Sequence, residues 1–231
     1  MKILQDEIKG IKFYHRVGTS DLKTFQEVIG DDVYQKKGMK IESGEIWYDC
    51  GGNVGAFTLL ACSKGAKVVV FEPDPNNCNM IEKNLKLNGF TAEIVMAALV
   101  HNNIKEASLF VGNNGNVWRN SLYKNWNGKG LKVECINFDE TFPNDICVKM
   151  DIEGAEMSIL ENTNRTFKKM VFEWSFDIDG NLIRFWDIID KLKNKYNLSS
   201  IGNTAKYETR DYSEWQKSWF PACTNVFCFK K

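Results

Sequence analysis

The chain has no excess of charge of either sign and no long apolar run. Its 231 residues carry 30 lysines and arginines against 30 aspartates and glutamates, so the formal net charge is +0 at pH 7. A balanced charge gives no overall attraction to nucleic acid or to an anionic membrane. No apolar stretch approaches the roughly 20 residues of a membrane-spanning helix, and the N-terminal residues do not resemble a signal peptide. We therefore expect a cytoplasmic protein without a membrane span, and a nucleic-acid partner is not favoured.

Histidine is scarce, and the cysteines show no pairing pattern. His15 and His101 stand outside any motif, so we expect both at the surface. His15 is the better candidate for a catalytic role, because the N-terminal segment can fold over a site. The seven cysteines are an odd, scattered set, and Cys223 and Cys228 have no matching second pair. Neither a disulfide framework nor a zinc site is expected, which fits a reducing compartment.

The first informative feature is a glycine-rich turn between an apolar run and an amphipathic one. Residues 48–55 read Tyr-Asp-Cys-Gly-Gly-Asn-Val-Gly, a pattern typical of a strand, a tight turn and a helix. Counted from Gly51, the third and sixth positions are Asn53 and Ala56, so the G-x-G-x-x-G spacing that seats a pyrophosphate is absent. Asp49 would repel a phosphate but can pair with a cationic ligand end. S-adenosylmethionine, which has cationic groups and no phosphate, therefore suits the turn better than NAD.

An acidic residue closes the next predicted strand. Glu72 follows Val-Val-Phe, precedes Pro73, and lies 21 residues after Gly51. That separation is close to the ~20 residues expected for a carboxylate that binds ribose hydroxyls. Small residues at the end of the third strand would leave room for adenine. The predicted cofactor-binding residues are Asp49, Gly51, Gly52, Asn53, Gly55, Glu72, Pro73, Ala97, Ala98 and Asp151. The alternative is a strand-to-helix turn that binds nothing.

A third motif completes a family pattern. Residues 148–156 read Val-Lys-Met-Asp-Ile-Glu-Gly-Ala-Glu, after Asp-Cys-Gly-Gly-Asn-Val-Gly at 49–55 and Phe-Glu-Pro at 71–73. In this order the motifs resemble those of the FkbM-type family of S-adenosylmethionine-dependent methyltransferases. Its members usually show D-x-G-A-N-x-G, F-E-P and K-I-D-x-E-G-A-E, so Gly52 stands where alanine is usual. The resemblance implies S-adenosylmethionine as donor, S-adenosylhomocysteine as product, and O-methylation of a hydroxyl on a small molecule or glycan.

The third motif also supplies the predicted catalytic residues. Asp151 ends the predicted fourth strand, at the crevice edge where a methyl group would be presented. Transfer to a hydroxyl requires that the hydroxyl be positioned and its proton removed, so Asp151 is the first candidate for base or orienting residue. Glu153 and Glu173 can assist it, and Lys149 can stabilise a developing alkoxide. An alternative remains open, because several carboxylates near one point can instead hold Mg²⁺ or Ca²⁺.

The glycine- and asparagine-rich stretch at 112–130 is predicted to contact the acceptor. Trp118, Arg119, Asn120 and Ser121 combine an aromatic face with short polar groups, which suits a polyhydroxylated, sugar-like molecule. A hairpin whose aromatic side chains cap the core explains the same residues equally well. Two further functions stay open: a nucleic-acid methyltransferase, and a partner subunit that binds the cofactor without catalysis. The oligomeric state does not follow from the sequence.

Strand and helix patterns alternate from residue 45 onward. They predict one α/β domain, in which a mostly parallel seven-stranded sheet carries helices on both faces. The family resemblance implies that this is the Rossmann-like class I methyltransferase fold. Residues 1–44 are expected to form a lead-in or lid, with a helix over 21–29 that Asp21 can cap. The predicted strands of the sheet cover residues 46–50, 67–72, 92–100, 146–151, 170–176, 198–201 and 225–229. The predicted helices cover residues 54–63, 75–88, 155–162 and 181–194.

Overall fold

The computed structural model describes residues 1–112, 119–125, 130–176, 178–200 and 223–231. The chain begins with a hairpin of β1 (Ile3–Ile8) and β2 (Ile11–Arg16), then α1 (Asp21–Phe25), which continues as a π-helical turn over Gln26–Gly30. The remaining elements are β3 (Ile46–Cys50), α2 (Ala56–Ser63), β4 (Lys67–Phe71), α3 (Pro75–Asn88), β5 (Glu93–Val95), β6 (Ala98–Val100), β7 (Glu106–Phe110), β8 (Gly130–Asn137), α4 (Phe138–Thr141), β9 (Cys147–Met150), α5 (Ala155–Asn162), β10 (Lys169–Ser175), α6 (Leu182–Lys193), β11 (Tyr196–Ser200) and β12 (Cys223–Lys230). Among the helices of the described residues, none combines the length and hydropathy needed to span a bilayer.

The central sheet has seven strands in the order β11-β12-β10-β9-β3-β4-β5. Only β12 runs antiparallel to its neighbours, β10 and β11, among the pairings of this sheet. The chain proceeds outward from β3 to β4 and β5, and later fills the other side through β9 and β10. Open α/β sheets bind ligands at such a reversal point, outside the carboxyl ends of the strands. The predicted fold class is confirmed.

The central strands are apolar because both faces of the sheet are covered. All four residues of β9 are buried, and so are Trp47, Val68 and Val70. One core packs α5 and α6 against β10, and the other packs α2, α3 and the N-terminal segment against the opposite face. Continuous apolar strands of this kind are typical of parallel sheets that are buried on both faces. This arrangement leaves the carboxyl ends of β3, β4 and β9 to carry the polar side chains.

The prediction that residues 92–100 form one continuous third strand is wrong. Residues 93–95 pair with β4 in the main sheet, whereas residues 98–100 pair with β8 in a separate sheet of order β6-β8-β7. The chain turns at Met96, which is 54% exposed, and Ala97 N donates to Val95 O over 3.0 Å. A run of apolar residues carries no signal for such a turn, because both halves are strands.

The N-terminal segment is docked on α3. The side chain of Asn84 bonds the backbone of Tyr14, and the side chain of Asn88 bonds the backbone of Lys12. Helix α1 does form, but Asp21 is not its cap: the N-cap is Ser20, and the Asp21 carboxylate is bonded to Arg16. The hairpin itself was not predicted. The division of the chain into a lead-in over residues 1–44 and a methyltransferase domain from residue 45 onward stays a prediction.

Candidate active site

The turn after β3 presses its backbone against the residue that follows β9. Gly51 has a φ of +83°, and a Cβ at this position would lie 1.8 Å from the carbonyl oxygen of Asp151. The amides of Gly51 and Gly52 both donate to Phe71 O, over 2.9 and 3.0 Å. Only glycine permits both the left-handed conformation and this close approach. The turn therefore brings the ends of β3, β4 and β9 to one point.

Gly52, where the family usually has alanine, has a local explanation. An added Cβ would lie 2.2 Å from Val70 Cγ2 and 3.0 Å from Ile81 Cδ1. Both side chains belong to the core beneath the turn. This chain therefore fills with Val70 and Ile81 the space that an alanine methyl group would need.

Lys149 supports the turn from below. Its ammonium group donates to Gly51 O over 2.7 Å and lies 3.2 Å from Asp49 Oδ1 and 3.9 Å from Asp151 Oδ2. Burial alone would lower the pKa of Lys149, but the Asp49 and Asp151 carboxylates outweigh it and raise the pKa. Lys149 is therefore a fixed positive charge beneath the glycine turn.

Asp49 lies behind the turn instead of facing a ligand. Its side chain has no exposed surface, and Oδ2 accepts a 2.7 Å hydrogen bond from Thr58 Oγ1. Burial raises the pKa of Asp49, while Lys149 opposes the shift. The expected direct pairing of Asp49 with a cationic ligand end does not fit this position. The carboxylate instead fixes Lys149 against the turn.

Glu72 lies at the wall of a small groove of about 60 Å³ beside the turn. Its Oε2 accepts from Asn53 N over 2.7 Å, and its Oε1 accepts from Asp74 N over 2.9 Å and from Asn77 Nδ2 over 3.3 Å. Burial raises the pKa of Glu72 to about 7, although these hydrogen bonds favour the charged form. Other predicted cofactor-binding residues that line the same groove are Gly51, Asn53, Pro73, Ala97, Ala98 and Asp151.

The chemistry of this groove fits S-adenosylmethionine. Among the described residues no lysine or arginine lines it, so a phosphate would have no cationic partner there. Its walls combine the Glu72 carboxylate with the small side chains of Ala97 and Ala98 and the apolar surface of Leu99. The side-chain oxygen of Asn53 is buried and has no hydrogen-bond partner among the described residues. A nucleoside with hydroxyl groups, an adenine and a positive charge matches these walls.

A larger cavity of about 410 Å³ adjoins the groove on the other side of Asp151. The two share Gly51, Asn53, Asp151 and Glu153. The predicted catalytic residues Lys149, Asp151, Glu153 and Glu173 all line the larger cavity. The structure therefore brings the four together, and Asp151 and Glu153 stand at the junction between groove and cavity.

Asp151 has a partner that the sequence did not suggest. The hydroxyl of Tyr34, from the N-terminal segment, donates to Asp151 Oδ2 over 2.7 Å. Burial, reinforced by the Asp151 charge, raises the pKa of Tyr34 well above its ordinary value. Tyr34 therefore stays a phenol and a hydrogen-bond donor throughout the neutral range.

Glu153 and Glu173, the other two predicted catalytic carboxyl groups, favour their protonated forms. Burial raises the pKa of Glu173 to about 8, and the charge of Asp151 adds to the shift. Burial also raises the pKa of Glu153 well above its ordinary value, again together with the Asp151 charge. Near neutral pH the cavity therefore presents carboxylic acids that donate hydrogen bonds as well as accept them.

The predicted acceptor residues separate in the structure. Arg119 lines the larger cavity, whereas Asn120 lines the cofactor groove and its amide nitrogen donates to Asp74 Oδ2 over 3.2 Å. Ser121 has no exposed surface, and its hydroxyl donates to Glu153 O over 2.5 Å. An acceptor contact from Ser121 does not fit this burial, so its role is to hold the turn that carries Glu153. Trp118 lies outside the described residues.

Only one of the two histidines lies at the surface as predicted. His15 is not at the surface: it is 6% exposed and its Nε2 lies 2.8 Å from Asp6 Oδ2, whereas His101 is exposed as predicted.

Glu156 is buried and accepts hydrogen bonds from the amides of Ile152 and Gly154, which holds the turn before α5. Within the described residues, no group of three or more histidine, cysteine, aspartate or glutamate side chains is arranged to hold a metal ion.

Comparison with solved structures shows which fold the chain has. The chain is similar to the Pyrococcus abyssi tRNA (uracil-54, C5)-methyltransferase in complex with S-adenosyl-L-homocysteine, with a TM-score of 0.51 and 11% identity over 99% of this chain and 44% of the other. It is also similar to the M. jannaschii tRNA m1G37 methyltransferase, with a TM-score of 0.52 and 14% identity over 99% of this chain and 57% of the other. At such identities the likeness establishes the fold, which is that of class I methyltransferases.

The family follows from the sequence match. The model of the methyltransferase FkbM domain matches residues 49–198, and the chain belongs to this family of S-adenosylmethionine-dependent methyltransferases. The family, the methyltransferase class and the cofactor expected from the sequence are confirmed. A curated relative, the AMB antimetabolite synthetase AmbE of Pseudomonas aeruginosa, is 34% identical over 77 residues, which is 31% of this chain and 4% of that protein. The chain thus spans a small fraction of that relative and less than two thirds of both solved structures.

Proposed function

We propose that this chain is an O-methyltransferase that acts on a hydroxyl group of a sugar-containing or other small molecule. The observation that carries the proposal is the junction of two cavities at Asp151 and Glu153. One side is a groove whose lining residues suit a nucleoside, and the other is a cavity of about 410 Å³ with polar and aromatic walls. When bound in the groove, S-adenosylmethionine would supply an electrophilic methyl group for in-line displacement by an acceptor oxygen.

The groove residues are proposed to hold the donor in three ways. Glu72 accepts hydrogen bonds from ribose hydroxyls, since it lines the groove. Ala97 and Ala98 leave space for the adenine. The backbone of Gly51 and Asn53 closes over the donor where the groove meets the larger cavity.

Asp151 is proposed to orient the acceptor hydroxyl and to receive its proton. It stands at the junction, and the bond from Tyr34 to Oδ2 fixes the carboxylate and leaves Oδ1 to the acceptor. Lys149 lines the same cavity, and its ammonium, 3.9 Å from Asp151 Oδ2, is proposed to stabilise the negative charge that develops on the acceptor oxygen. Glu153 and Glu173 assist in their neutral forms by donating hydrogen bonds to neighbouring polar groups of the methyl acceptor. Their raised pKa values support this role.

A polyhydroxylated acceptor matches the remaining walls of the larger cavity. Ser175, Asn225 and Arg119 offer hydrogen-bonding groups, and Tyr34 and Phe57 offer aromatic surface. Sugars present alternating hydroxyl groups and C–H faces, which pair with both kinds of wall. The side-chain oxygen of Asn225 is buried without a hydrogen-bond partner among the described residues, so an acceptor hydroxyl would satisfy it.

A nucleic-acid acceptor is the second candidate, because two solved structures similar to this chain are tRNA methyltransferases. The balanced charge of the chain, formally +0 at pH 7, argues against it, because a polyanionic acceptor needs a basic surface. The described ionisable residues that line the cavity do not form a basic cluster, since Lys23, Arg119 and Lys149 are interspersed with Glu27, Asp151, Glu153 and Glu173.

The test is a screen for transfer of labelled methyl groups. Sugar-containing acceptors and a transfer RNA pool are incubated with the wild-type chain, with Asp151→Asn, and with the exposed-site control Asp145→Asn. We expect incorporation into a sugar-containing acceptor by the wild type and the control. Asp151→Asn should still bind the donor and lose turnover by about 100-fold or more, in line with the loss of a general base. Incorporation into RNA alone, or full turnover by Asp151→Asn, would contradict the proposal.

A further inference from the structure

A buried chain of polar side chains connects the N-terminal hairpin to Glu72. The Arg16 guanidinium binds the Asp21 carboxylate at two points, with Nε at 2.8 Å from Oδ2 and NH2 at 2.9 Å from Oδ1. The same NH2 group donates to Asn77 Oδ1 over 2.8 Å. The amide nitrogen of Asn77 in turn donates to Glu72 Oε1 over 3.3 Å. Asp21, Arg16, Asn77 and Glu72 are all at most 8% exposed.

The order of these contacts fixes the orientation of the Asn77 amide. A guanidinium has only donors, so the side of Asn77 that faces Arg16 must be the carbonyl oxygen. The amino group is then forced toward Glu72. If the amide were rotated by a half turn, two donors would meet at Arg16 and two acceptors would meet at Glu72, and both contacts would be lost. The ion pair with Asp21 prevents Arg16 from moving away.

We propose that Arg16 and Asn77 are positioning residues for the donor's ribose, acting through Glu72. This inference rests on the ribose role given to Glu72 under the proposed function. Asn77, Asp74 N and Asn53 N together donate three hydrogen bonds to the carboxyl group. They fix its rotation, so that its one remaining accepting position is available to the groove that Glu72 and Asn77 both line. The N-terminal hairpin therefore contributes to donor recognition without touching the donor.

A simpler explanation is that Arg16 only attaches the hairpin to α3, and the chain offers a matched control for it. Asn88 also joins the hairpin to α3: it accepts from Lys12 N over 3.0 Å and donates to Lys12 O over 2.7 Å. It lies at the far end of the same helix and has no contact with Glu72 among the described bonds. Loss of docking alone would give Asn88→Ala and the Arg16 variant the same effect on donor binding.

The experiment compares the affinities of S-adenosylhomocysteine and its 2′-deoxyribose analogue, both measured by calorimetry. The variants are Asn77→Asp, Arg16→Met and the control Asn88→Ala. Asn77→Asp keeps an oxygen that accepts from Arg16 and replaces the amino group that donates to Glu72 by a second acceptor. We expect the wild type and Asn88→Ala to prefer the ribose ligand by about tenfold, which is one good hydrogen bond. In Asn77→Asp and Arg16→Met the preference should fall to about twofold or less.

An unchanged preference in Asn77→Asp overturns the inference, and so does an equal loss in Asn88→Ala. If Arg16→Met does not fold, Asn77→Asp decides, with Asn77→Ala as the replacement that leaves the Arg16–Asp21 pair intact. A wild-type chain that binds both ligands equally well would instead refute the ribose role of Glu72. That outcome belongs to the proposed function and is recognised without any variant of Arg16 or Asn77.

Discussion

The hydroxyl of Tyr34 donates a 2.7 Å hydrogen bond to Asp151 Oδ2 across a sequence separation of 117 residues. Tyr34 belongs to the segment before the sheet, and Asp151 follows one of its central strands. The ring of Tyr34 also lies over Lys149, whose Nζ is 5.4 Å from the ring centroid. The N-terminal segment therefore builds part of the site and is more than a covering.

Tyr34→Phe tests this contact. Removing the hydroxyl frees the Asp151 carboxylate to rotate, so we expect turnover to fall about tenfold, which corresponds to the loss of one hydrogen bond to a charged group. The affinity for S-adenosylmethionine should change by less than about twofold, because Tyr34 does not line the groove. Steady-state kinetics and calorimetry separate the two quantities.

Tyr48→Phe is the control for that experiment. Tyr48 packs against Phe71 and Phe142 in the core, so the loss of its hydroxyl should leave turnover unchanged. Equal turnover in Tyr34→Phe and the wild type would exclude a positioning role for Tyr34.

Lys149→Met should be strongly destabilising because it leaves Asp49 buried without a cation. Breaking a buried pair by removing one partner costs about 3–5 kcal/mol. The double variant Lys149→Met with Asp49→Asn should recover part of this loss, since no charge is then left unpaired. Chemical denaturation measures both. If the two substitutions are independent, their losses of unfolding free energy add up in the double variant. That result would show that Lys149 and Asp49 are not coupled, and the account of the turn would be wrong.

Gly51→Ala tests the contact between the turn and the strand end. The left-handed φ alone costs an alanine about 1 kcal/mol, as it should in Gly38→Ala, where φ is +85° and the space around a Cβ is open. Gly51→Ala adds an overlap with the backbone carbonyl of Asp151 at 1.8 Å. We expect a much larger loss of unfolding free energy and no measurable donor binding. Similar denaturation midpoints for the two variants would mean that the close approach does not exist.

Stability should fall as the pH rises from about 5 to about 8.5. Burial raises the pKa values of Glu72 and Glu156 to about 7 and that of Glu173 to about 8. The folded chain therefore binds more protons than the unfolded chain above pH 4.5, so this stabilisation is complete below that value and is lost as the pH passes through the folded pKa values. Glu173→Gln should flatten the melting temperature profile, while the exposed control Glu82→Gln should not. An unchanged profile in Glu173→Gln would show that Glu173 is ionised in the folded chain at neutral pH.

The α/β core could be predicted because its signals are local. Helix α3 begins and ends as the sequence indicates, since Asp74 caps it, Pro75 occupies its first position and Gly89 closes it in the left-handed conformation. Helix α5 also has its predicted bounds. The motifs placed Glu72 and Asp151 at strand ends, and topology brought these ends together.

The features of the site that could not be predicted from the sequence depend on contacts between residues that are far apart in the chain. The burial of Asp49 follows from its pairing with Lys149, and the contact of Tyr34 with Asp151 follows from the docking of the N-terminal segment on α3. Ser121 looked like an acceptor contact because short polar residues in loops are commonly exposed. Its burial arises from a bond to the backbone of Glu153, which no pattern within the loop indicates.

The most direct test of the central claim is a crystal structure of the chain with S-adenosylhomocysteine. We predict that the ligand lies in the groove between the Gly51 turn and Glu72, with its ribose hydroxyls on the Glu72 carboxylate and its sulfur directed toward Asp151. A ligand bound elsewhere on the chain, or a groove that stays empty at saturating ligand, would contradict the account.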